Sequence, residues 1–441
     1  MLPERILIIG LGQTGLSCLN YCLARGISPV IMDTRACPPG ADQLPEHIER
    51  HFGELTLAPM LAAQLIVASP GVALKTPELQ QALAAGIEIV GDIELFVREC
   101  TAPIIAITGS NGKSTVTTLV GEMAIEAGIK VGVGGNIGTP ALDLLSSELE
   151  QVEPSAALEL IVLELSSFQL ETTSSLTACA ATVLNISEDH LDRYDSLAHY
   201  RDTKLEIYHQ ASLAVYNRED DQTRPPKSGA MVSFGLDQTD YGRIQHQGEL
   251  WLSRFGEPVL PVSALKILGT HNQLNALAAM ALADQAGIPQ VAQLAVLRRF
   301  TGLKHRCQFV AEKQGVLWVN DTKATNVGAT LAAIAGMSEV ISGRLWLIAG
   351  GQGKAQDFSP LTALLNSTIA VMVCFGQDRH QLLALADNTH EVSNLDEAVA
   401  WCAAQARAGD CVLLAPACAS FDMYANYQLR GEHFITLVET L

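Results

Sequence analysis

The sequence predicts an α/β protein with three domains. Short apolar runs alternate with stretches of helical periodicity along the whole chain, which is typical of parallel sheets covered by helices. The chain has 441 residues, of which 48% are hydrophobic and only 17% are charged. It therefore holds enough apolar material for several cores, and its length exceeds what one core usually serves.

The order of the strand-like runs divides the chain. We expect domains at residues 1–91, 92–299 and 300–441, with Rossmann-like folds in the first and third. Helical periodicity between the second and third sets of strands runs from Asn272 to about Ala286. The predicted strands are Ile6–Ile9, Pro29–Met32 and Leu65–Ala68, then Leu160–Leu163 and Ala180–Asn185, then Val316–Val319, Leu345–Ile348, Ala370–Cys374 and Cys411–Leu414.

Composition excludes some classes of partner. A net charge of −19 argues against nucleic-acid and anionic-membrane surfaces, which need a cationic footprint. Ten cysteines occur without a C-x-x-C pair, which favours reduced thiols over a disulfide framework. Met1–Gly10 is a short strand that meets a glycine turn, and it predicts neither a signal peptide nor a membrane span. We expect a cytoplasmic protein.

A glycine-rich turn between an apolar strand and a helix predicts a phosphate-binding loop. Thr108–Thr115 reads Thr-Gly-Ser-Asn-Gly-Lys-Ser-Thr. Glycines let backbone N–H groups approach phosphate oxygens, Lys113 supplies charge, and the hydroxyl of Ser114 or of the next threonine can bind Mg²⁺. The full pattern G-x-x-x-x-G-K-[ST] is not met because of Ile107, but the strand before it and the Lys-Ser-Thr after it favour ATP. We expect a central parallel sheet of the P-loop ATPase type, with a small antiparallel addition at Asp220–Pro261.

A second glycine motif follows the first predicted strand. Gly10-x-Gly12-x-x-Gly15 opens a helix, and Asp33 closes the second strand. Together they form a dinucleotide fingerprint, in which the glycines admit a diphosphate and the acid accepts a ribose hydroxyl. Simple strand–helix packing, nicotinamide binding and a related diphosphate such as a UDP-sugar all fit. We favour the last, because the ATP loop lies in a separate domain and nothing in the chain resembles a hydride-transfer site.

In the central domain, Glu164 and His190 each have two interpretations, and Lys204 has one. Glu164 ends an apolar strand in the same domain as the phosphate loop, so it is either a second Mg²⁺ ligand or a solvated acid. His190, within Asn185–Asp192, either binds a metal or has a structural role. Lys204 lies in a helical stretch, and its residue type predicts a solvated surface lysine.

Polar loops follow three predicted strands of the third domain. Ligand groups collect at the carboxyl ends of parallel strands, so loops that carry Lys323, Lys354 and Ser420 predict a pocket for an anionic small molecule. Asn272 and Asn275 lie one turn apart at a helix start, where they suit a nucleobase, a ribose or simple capping. The three loops are Asn320–Asn326, Gly350–Lys354 and Ala417–Asp422.

Taken together, these stretches resemble the Mur ligases, the ATP-dependent amide-forming enzymes of peptidoglycan precursor synthesis. The resemblance covers essentially the whole chain. Within the family the sequence looks like the member that adds D-glutamate, and the Asp-Asn-Pro-Arg motif of a diaminopimelate-adding member is absent. Gln352 is a departure, since the family often has Asp there. The motifs are Gly10–Ser17, Asp33–Arg35, Ser69–Gly71, Thr108–Thr115, Gly135–Gly138, Glu164–Ser167, Asp189–Asp192, His271–Asn275, His305–Arg306, Asn320–Asn326 and Pro416–Ser420.

The resemblance implies roles for particular residues. Catalytic roles fall to Lys113, His190 and Lys204, with Lys204 modified to a carbamate because a bare ammonium would repel a metal ion. Two Mg²⁺ ions are implied, held by Ser114, Glu164, His190 and Lys204. The residues implied to bind ATP are Gly109, Asn111, Gly112, Lys113, Ser114, Thr115, Asn272, Arg306 and Asp321. The residues implied to bind the UDP substrate are Thr14, Asp33, Thr34, Arg35, Gly71 and Asn136. Those implied to bind D-glutamate are Lys323, Thr325, Lys354, Ser420 and Tyr427.

The implied reaction is an ATP-dependent, ADP-forming ligation. ATP would phosphorylate the alanyl carboxylate of UDP-N-acetylmuramoyl-L-alanine, and the amine of D-glutamate would attack the acyl phosphate through a tetrahedral intermediate. The alternatives are another amino-acid-adding Mur ligase, a nicotinamide-dependent oxidoreductase and a regulatory nucleotide-binding protein. We expect a monomer.

Overall fold

The computed structural model describes residues 2–149, 157–190, 193–226, 229–267, 269–338, 341–354 and 356–441. Leu191 and Asp192 of the motif around His190 lie outside them. Three separate sheets, each accompanied by helices, confirm the predicted three-domain α/β class. Over the described ranges, no helix is both long enough and apolar enough to cross a membrane.

The first sheet has five parallel strands, with helices α1 (Gln13–Leu23), α2 (Leu57–Ala62), α3 (Pro77–Ala84) and α4 (Asp92–Val97) around it. They are β1 (Ile6–Ile9), β2 (Val30–Asp33), β3 (Arg50–Phe52), β4 (Leu65–Ala68) and β5 (Glu88–Val90), in the order β3-β2-β1-β4-β5. Gly10 has φ 94°, and a Cβ on Gly15 would lie 2.0 Å from the Gly10 carbonyl oxygen. The glycine motif is therefore required by the turn itself.

The central sheet has nine strands in the order β14-β13-β12-β11-β10-β9-β6-β8-β7. They are β6 (Ile104–Thr108), β7 (Val131–Gly135), β8 (Leu160–Glu164), β9 (Ala180–Val183), β10 (Ala214–Asn217), β11 (Met231–Phe234), β12 (Tyr241–His246), β13 (Glu249–Arg254) and β14 (Glu257–Pro261). Among the strand pairs that the structure describes in this sheet, only β12–β13 and β13–β14 are antiparallel. The small antiparallel addition is thus confirmed, but β11 extends the parallel part instead, since it pairs in parallel with β10.

In the described ranges of the central domain, six α-helices accompany this sheet. Two of them, α5 and α9, pack into one buried cluster with Ile105, Ile107 and Val162 of the sheet. The helices are α5 (Lys113–Glu126), α6 (Ala141–Leu149), α7 (Ser167–Leu170), α8 (Leu197–Leu205), α9 (Thr270–Gln285) and α10 (Gln290–Arg299). Because α5 is held in the core, the phosphate loop at its start is fixed to a rigid element.

The third sheet has the order β15-β16-β20-β17-β18-β19. Its strands are β15 (Gln308–Lys313), β16 (Val316–Asn320), β17 (Leu345–Gly350), β18 (Ile369–Phe375), β19 (Thr389–Glu391) and β20 (Cys411–Leu414). Within the described part of this domain, only β15 is antiparallel to its neighbour. Its helices are α11 (Val327–Ser338), α12 (Leu361–Leu365), α13 (Arg379–Leu383), α14 (Leu395–Gln405) and α15 (Tyr427–Glu439). Because β16, β20 and β17 are adjacent, the polar loops that follow them converge.

The first two domains share one buried core. Ile8 and Val67 of the first sheet belong to the same apolar cluster as Leu142 of α6. The hydroxyl of Ser17 in α1 donates a 2.5 Å hydrogen bond to Oδ1 of Asp143 in α6. The third domain has its own buried clusters on the two faces of its sheet. The N-terminal and central domains are therefore joined as one packed body.

Candidate functional site

The phosphate loop has the backbone that its sequence predicts. Gly112 has φ 82° immediately before α5, and a Cβ there would lie 2.5 Å from the Asn275 side-chain oxygen. Nζ of Lys113 donates to the carbonyls of Gly109 (2.8 Å) and Ser110 (3.0 Å). Burial lowers the pKa of Lys113, while the nearby Glu164 carboxylate opposes that shift. The loop thus places backbone N–H groups and a lysine at a helix N-terminus, a suitable site for phosphate.

Glu164 is buried at the carboxyl end of β8, beside the phosphate loop. Its Oε1 accepts a hydrogen bond of 2.8 Å from Asn136 Nδ2. Within the described residues, its buried Oε2 has no hydrogen-bond partner. An unpartnered buried carboxylate oxygen is costly unless a cation or a donor meets it. Glu164 therefore fits the role of a Mg²⁺ ligand, and the solvated-acid interpretation is wrong.

Lys204 is also buried, with 1% of its surface exposed, so the surface-lysine interpretation is wrong. Its Nζ lies 3.2 Å from Thr108 Oγ1 and 3.0 Å from the Gly109 carbonyl oxygen. Burial, and then the charge of Lys113, lowers the pKa of Lys204 well below its usual value, against the opposing Asp189 and Glu164 carboxylates. Residue type missed this position because no periodicity marks the side of α8 that faces the loop.

His190 follows β9, the strand that pairs with β6 beside the phosphate loop. It has φ 56°, a left-handed conformation that is uncommon for a residue with a side chain. Its Nε2 lies 3.6 Å from Oδ2 of Asp189. That same oxygen accepts a 3.1 Å hydrogen bond from Asn326 of the third domain, so the His190 loop contacts both domains. In the part of the chain that the structure describes, no three His, Cys, Asp and Glu side chains form a metal-binding group.

A cavity of about 850 Å³ lies between the central and third domains. It brings together most of the residues predicted from the two domains, and Asp189, Tyr200 and Phe168 join them. The predicted residues that line it are Asn111, Gly112, Lys113, Thr115, Asn136, Glu164, His190, Lys204, Asn272, Arg306, Asp321, Lys323, Thr325, Lys354, Ser420 and Tyr427. Ser114 is buried beside it, and its Oγ accepts a 2.8 Å hydrogen bond from Arg306.

The third domain supplies a cationic wall to this cavity. Nζ of Lys323 lies 4.2 Å from the centre of the Tyr427 ring, which favours its charged form. Burial, with Arg306 and Lys113 nearby, nevertheless lowers the pKa of Lys323 to about 8. Burial raises the pKa of Asp321 to about 6, although Arg306 opposes the shift. This wall suits an anionic ligand.

Arg430, which was not predicted from the sequence, holds the three loops of the third domain together. Its guanidinium is buried and donates to Thr322 Oγ1 (2.9 Å), Thr322 O (3.0 Å), Cys418 O (3.1 Å) and Gly350 O (3.3 Å). Those acceptors belong to the loops that carry Lys323, Ser420 and Lys354. No motif surrounds Arg430 in α15, so only the folded structure reveals its role.

A second cavity, of about 560 Å³, lies at the carboxyl edge of the first sheet. The Asp33 carboxylate there accepts hydrogen bonds from the Leu11 and Arg35 amides and from the Arg35 side chain. Burial would raise the pKa of Asp33, but Arg35 and the two amides lower it to about 2. The predicted residues that line this cavity are Gly10, Gly12, Thr14, Asp33, Thr34, Arg35, Gly71 and Asn136. Asn136 therefore lines both cavities.

The fold and the site define a three-domain phosphate-loop protein in which a diphosphate-type cavity meets a larger, cation-lined cavity. Three sequence families match it: "Mur ligase MurD-like, N-terminal domain" at residues 4–91, "Mur ligase middle domain" at 107–283, and "Mur ligase, glutamate ligase domain" at 305–418. The chain belongs to the Mur ligase family.

Curated relatives match over nearly the full length. The UDP-N-acetylmuramoylalanine–D-glutamate ligase of Escherichia coli strain K12 is 54% identical over 442 residues, covering 99% of this chain and 98% of the relative. The Salmonella typhimurium protein of the same name is 53% identical, with the same coverage. Among solved structures, MurF from Acinetobacter baumannii matches with a TM-score of 0.63 at 17% identity, covering 99% of this chain and 95% of its own. At that identity the structural match shows the fold alone.

Proposed function

We propose that this protein joins D-glutamate to UDP-N-acetylmuramoyl-L-alanine, with ATP converted to ADP and phosphate, in peptidoglycan precursor synthesis. The names of its relatives support the choice of substrates. The observation that carries the proposal is the position of Asn136, which lines both cavities. A substrate with its diphosphate in the smaller cavity can therefore reach past Asn136 to the phosphate loop.

Each ligand has a distinct place in this proposal. The UDP group occupies the smaller cavity, against Gly71, Thr14 and the Asp33–Arg35 loop. ATP lies on the phosphate loop at Gly109–Thr115, with Asn272, Arg306 and Asp321 around it. D-glutamate meets the cationic wall, where Lys323, Thr325, Lys354 and Ser420 can hold two carboxylates and Tyr427 bounds the pocket.

A carboxylate does not react directly with an amine to form an amide, because its oxygen is a poor leaving group. Transfer of the γ-phosphoryl group of ATP to the alanyl carboxylate converts an oxygen that cannot leave into phosphate, which can. The amine of D-glutamate, after losing a proton, then attacks the acyl carbon, and phosphate departs from the tetrahedral intermediate. Lys113 offsets the negative charge as two anions approach each other, and closure of the third domain brings the amine within reach.

Two Mg²⁺ ions fit this site, with Ser114, Glu164, His190 and Lys204 as the residues that would hold them. The unpartnered Oε2 of Glu164 supports the proposal. When bound, Mg²⁺ supplies positive charge beside the phosphate oxygens. Lys204 qualifies only if it is modified, because an ammonium repels a cation.

A carbamate on Lys204 resolves that conflict. Its neutral amine forms an N–C bond to CO₂ and releases a proton, which turns a cationic side chain into an anionic one with two oxygen donors. The burial of Lys204 favours the neutral amine that this reaction needs. The same burial disfavours an isolated carbamate, so the metal must stabilise the product.

We also propose a monomer with domains at residues 1–91, 92–299 and 300–441, located in the cytoplasm. The matched ranges 4–91, 107–283 and 305–418 support the boundaries. The free thiols of ten cysteines fit a reducing compartment. Light scattering of the purified protein tests the oligomeric state.

The test is an ADP-release assay with the ligands added singly and together. ADP must appear continuously only when ATP, UDP-N-acetylmuramoyl-L-alanine and D-glutamate are all present, and L-glutamate must not replace the D isomer. Equal rates with L-alanine or diaminopimelate would assign the protein to a different reaction of the family. ADP release that needs neither substrate would contradict the ligase proposal.

A further inference from the structure

Arg193 connects the two cavities through contacts that the reaction described above does not use. Its Nη1 donates to the Pro70 carbonyl oxygen at 2.7 Å, and its Nη2 lies 3.4 Å from the Val72 carbonyl oxygen. Both acceptors belong to the loop that follows β4 and lines the smaller cavity. Lys75 Nζ donates to the Arg193 carbonyl at 2.8 Å. This arginine of the central domain is therefore fixed to the loop Pro70–Val72 of the first domain.

The same guanidinium is fixed to Glu171, the residue that follows α7. Its Nε and Nη2 donate to the two carboxylate oxygens of Glu171, at 3.2 and 2.6 Å. The hydroxyl of Tyr194 donates to Glu171 as well, at 2.6 Å. Only 11% of the Arg193 side chain and 16% of Glu171 are exposed. A bidentate pair of this kind fixes the plane of the guanidinium as well as its position.

The ring of Phe168 links the Arg193 guanidinium to His190 in the larger cavity. The guanidinium lies 4.1 Å from the centre of the Phe168 ring, and the Phe168 ring meets the His190 ring edge-on at 4.7 Å. The amide of Arg193 donates to the His190 carbonyl at 2.9 Å. His190 is therefore held from both its side chain and its backbone by groups that contact Arg193, which helps to maintain its left-handed φ of 56°.

We propose that Arg193 is a positioning residue that couples the UDP-side loop Pro70–Val72 to the orientation of His190 in the larger cavity. The inference rests on the function proposed above, because it takes the smaller cavity as the UDP site and His190 as part of the reaction centre. Arg193 itself lines neither of the two cavities. It aligns His190 when the loop is in place, so a substrate in one cavity organises the other.

The test compares Arg193→Lys with Arg25→Lys in the full-length protein. Arg25 also pairs with a glutamate, Glu99, and lies 3.7 Å from an aromatic ring centre, that of Tyr21. A lysine keeps the charge but not the two-pronged geometry. With all substrates saturating, Arg193→Lys must lower kcat by about tenfold or more, since small misplacements of reacting groups carry large rate costs. Arg25→Lys must leave kcat within about twofold, in line with the small value of exposed pairs.

Two further measurements separate positioning from simple loss of structure. Phe168→Leu breaks the aromatic link while leaving the Pro70 contact, so it must lower kcat with little change in the KM for the UDP substrate. Glu171→Gln must lower kcat in the same direction, which keeps the test valid if Arg193→Lys folds poorly. The decrease in kcat for Arg193→Lys with Phe168→Leu must be smaller than the product of the two single effects, because both act on one contact path.

The possible outcomes are distinct. An unchanged kcat for both Arg193→Lys and Glu171→Gln would overturn the coupling, even if the KM for the UDP substrate rose, because the arginine would then only support binding. A lower melting temperature with wild-type kinetics would also overturn it. Failure of the proposed function itself would appear differently, as a wild-type protein without ADP release that depends on both substrates.

Discussion

Replacement of Arg430 tests whether the three loops of the third domain form one amino-acid site. The guanidinium is 1% exposed and makes four hydrogen bonds. Burial lowers its pKa to about 10, so it stays charged at neutral pH. Arg430→Met removes every donor, and each buried acceptor left without a partner costs about 1–3 kcal/mol. The loops must relax to recover part of that cost, and Lys323 and Lys354 move with them.

A relaxation that costs about 1.4–2.8 kcal/mol of binding energy corresponds to a tenfold to hundredfold rise in the KM for D-glutamate. Arg430→Lys retains the charge but not the planar fork, so its effect should be intermediate. The KM for the UDP substrate should stay within about twofold, because the smaller cavity lies in another domain. Steady-state ADP release, with D-glutamate varied at saturating ATP and UDP substrate, measures both constants.

The matched control is Arg344→Lys in the same domain. Arg344 pairs with Asp410 at 3.1 Å, and 53% of its side chain is exposed, so its replacement should change stability by no more than about 0.5 kcal/mol and leave the kinetics unaltered. If Arg430→Met remains folded by circular dichroism and keeps the wild-type KM for D-glutamate, Arg430 does not organise an amino-acid site.

Three other substitutions address individual roles. Lys113→Ala should lower kcat by about 10² or more, the scale of one lost electrostatic contact to a transition state, and near-normal turnover in the ADP assay would remove Lys113 from phosphoryl transfer. Lys354→Ala should chiefly raise the KM for D-glutamate, and an unchanged value would place Lys354 outside the pocket. Lys204→Ala should lose most activity and regain part of it with added formate or acetate, which can occupy the carbamate oxygen position; a fully active variant would exclude the carbamate.

Much of the fold could be predicted from the sequence because buried parallel strands give near-continuous apolar runs. Leu65–Ala68 and Cys411–Leu414, for example, agree with β4 and β20 at both ends. The three-residue strands β3, β5 and β19 were missed, since Arg50–Phe52, Glu88–Val90 and Thr389–Glu391 are too short to show a period. The parallel pairing of β11 was also missed, because pairing direction depends on which strand lies beside it.

The residues of the candidate site also form two groups: those that the local sequence predicts and those that only the folded structure reveals. Loops such as Thr108–Thr115 combine glycine, lysine and hydroxyl residues at fixed spacing, so their local sequence carries the signal. Arg193 and Arg430 act instead through carbonyl groups and rings that are distant along the chain, and an isolated arginine carries no such signal. The burial of Lys204 is likewise a property of the packed domain, and residue type alone predicted the opposite environment.

The proposed reaction requires that ATP transfers its γ-phosphoryl group to the alanyl carboxylate. The direct measurement uses UDP-N-acetylmuramoyl-L-alanine labelled with ¹⁸O in that carboxylate, with ATP and D-glutamate, and mass spectrometry of the released phosphate. One ¹⁸O is expected in each phosphate, because the carboxylate oxygen leaves with the phosphoryl group. Phosphate that carries no ¹⁸O, together with formation of the amide product, would contradict that transfer.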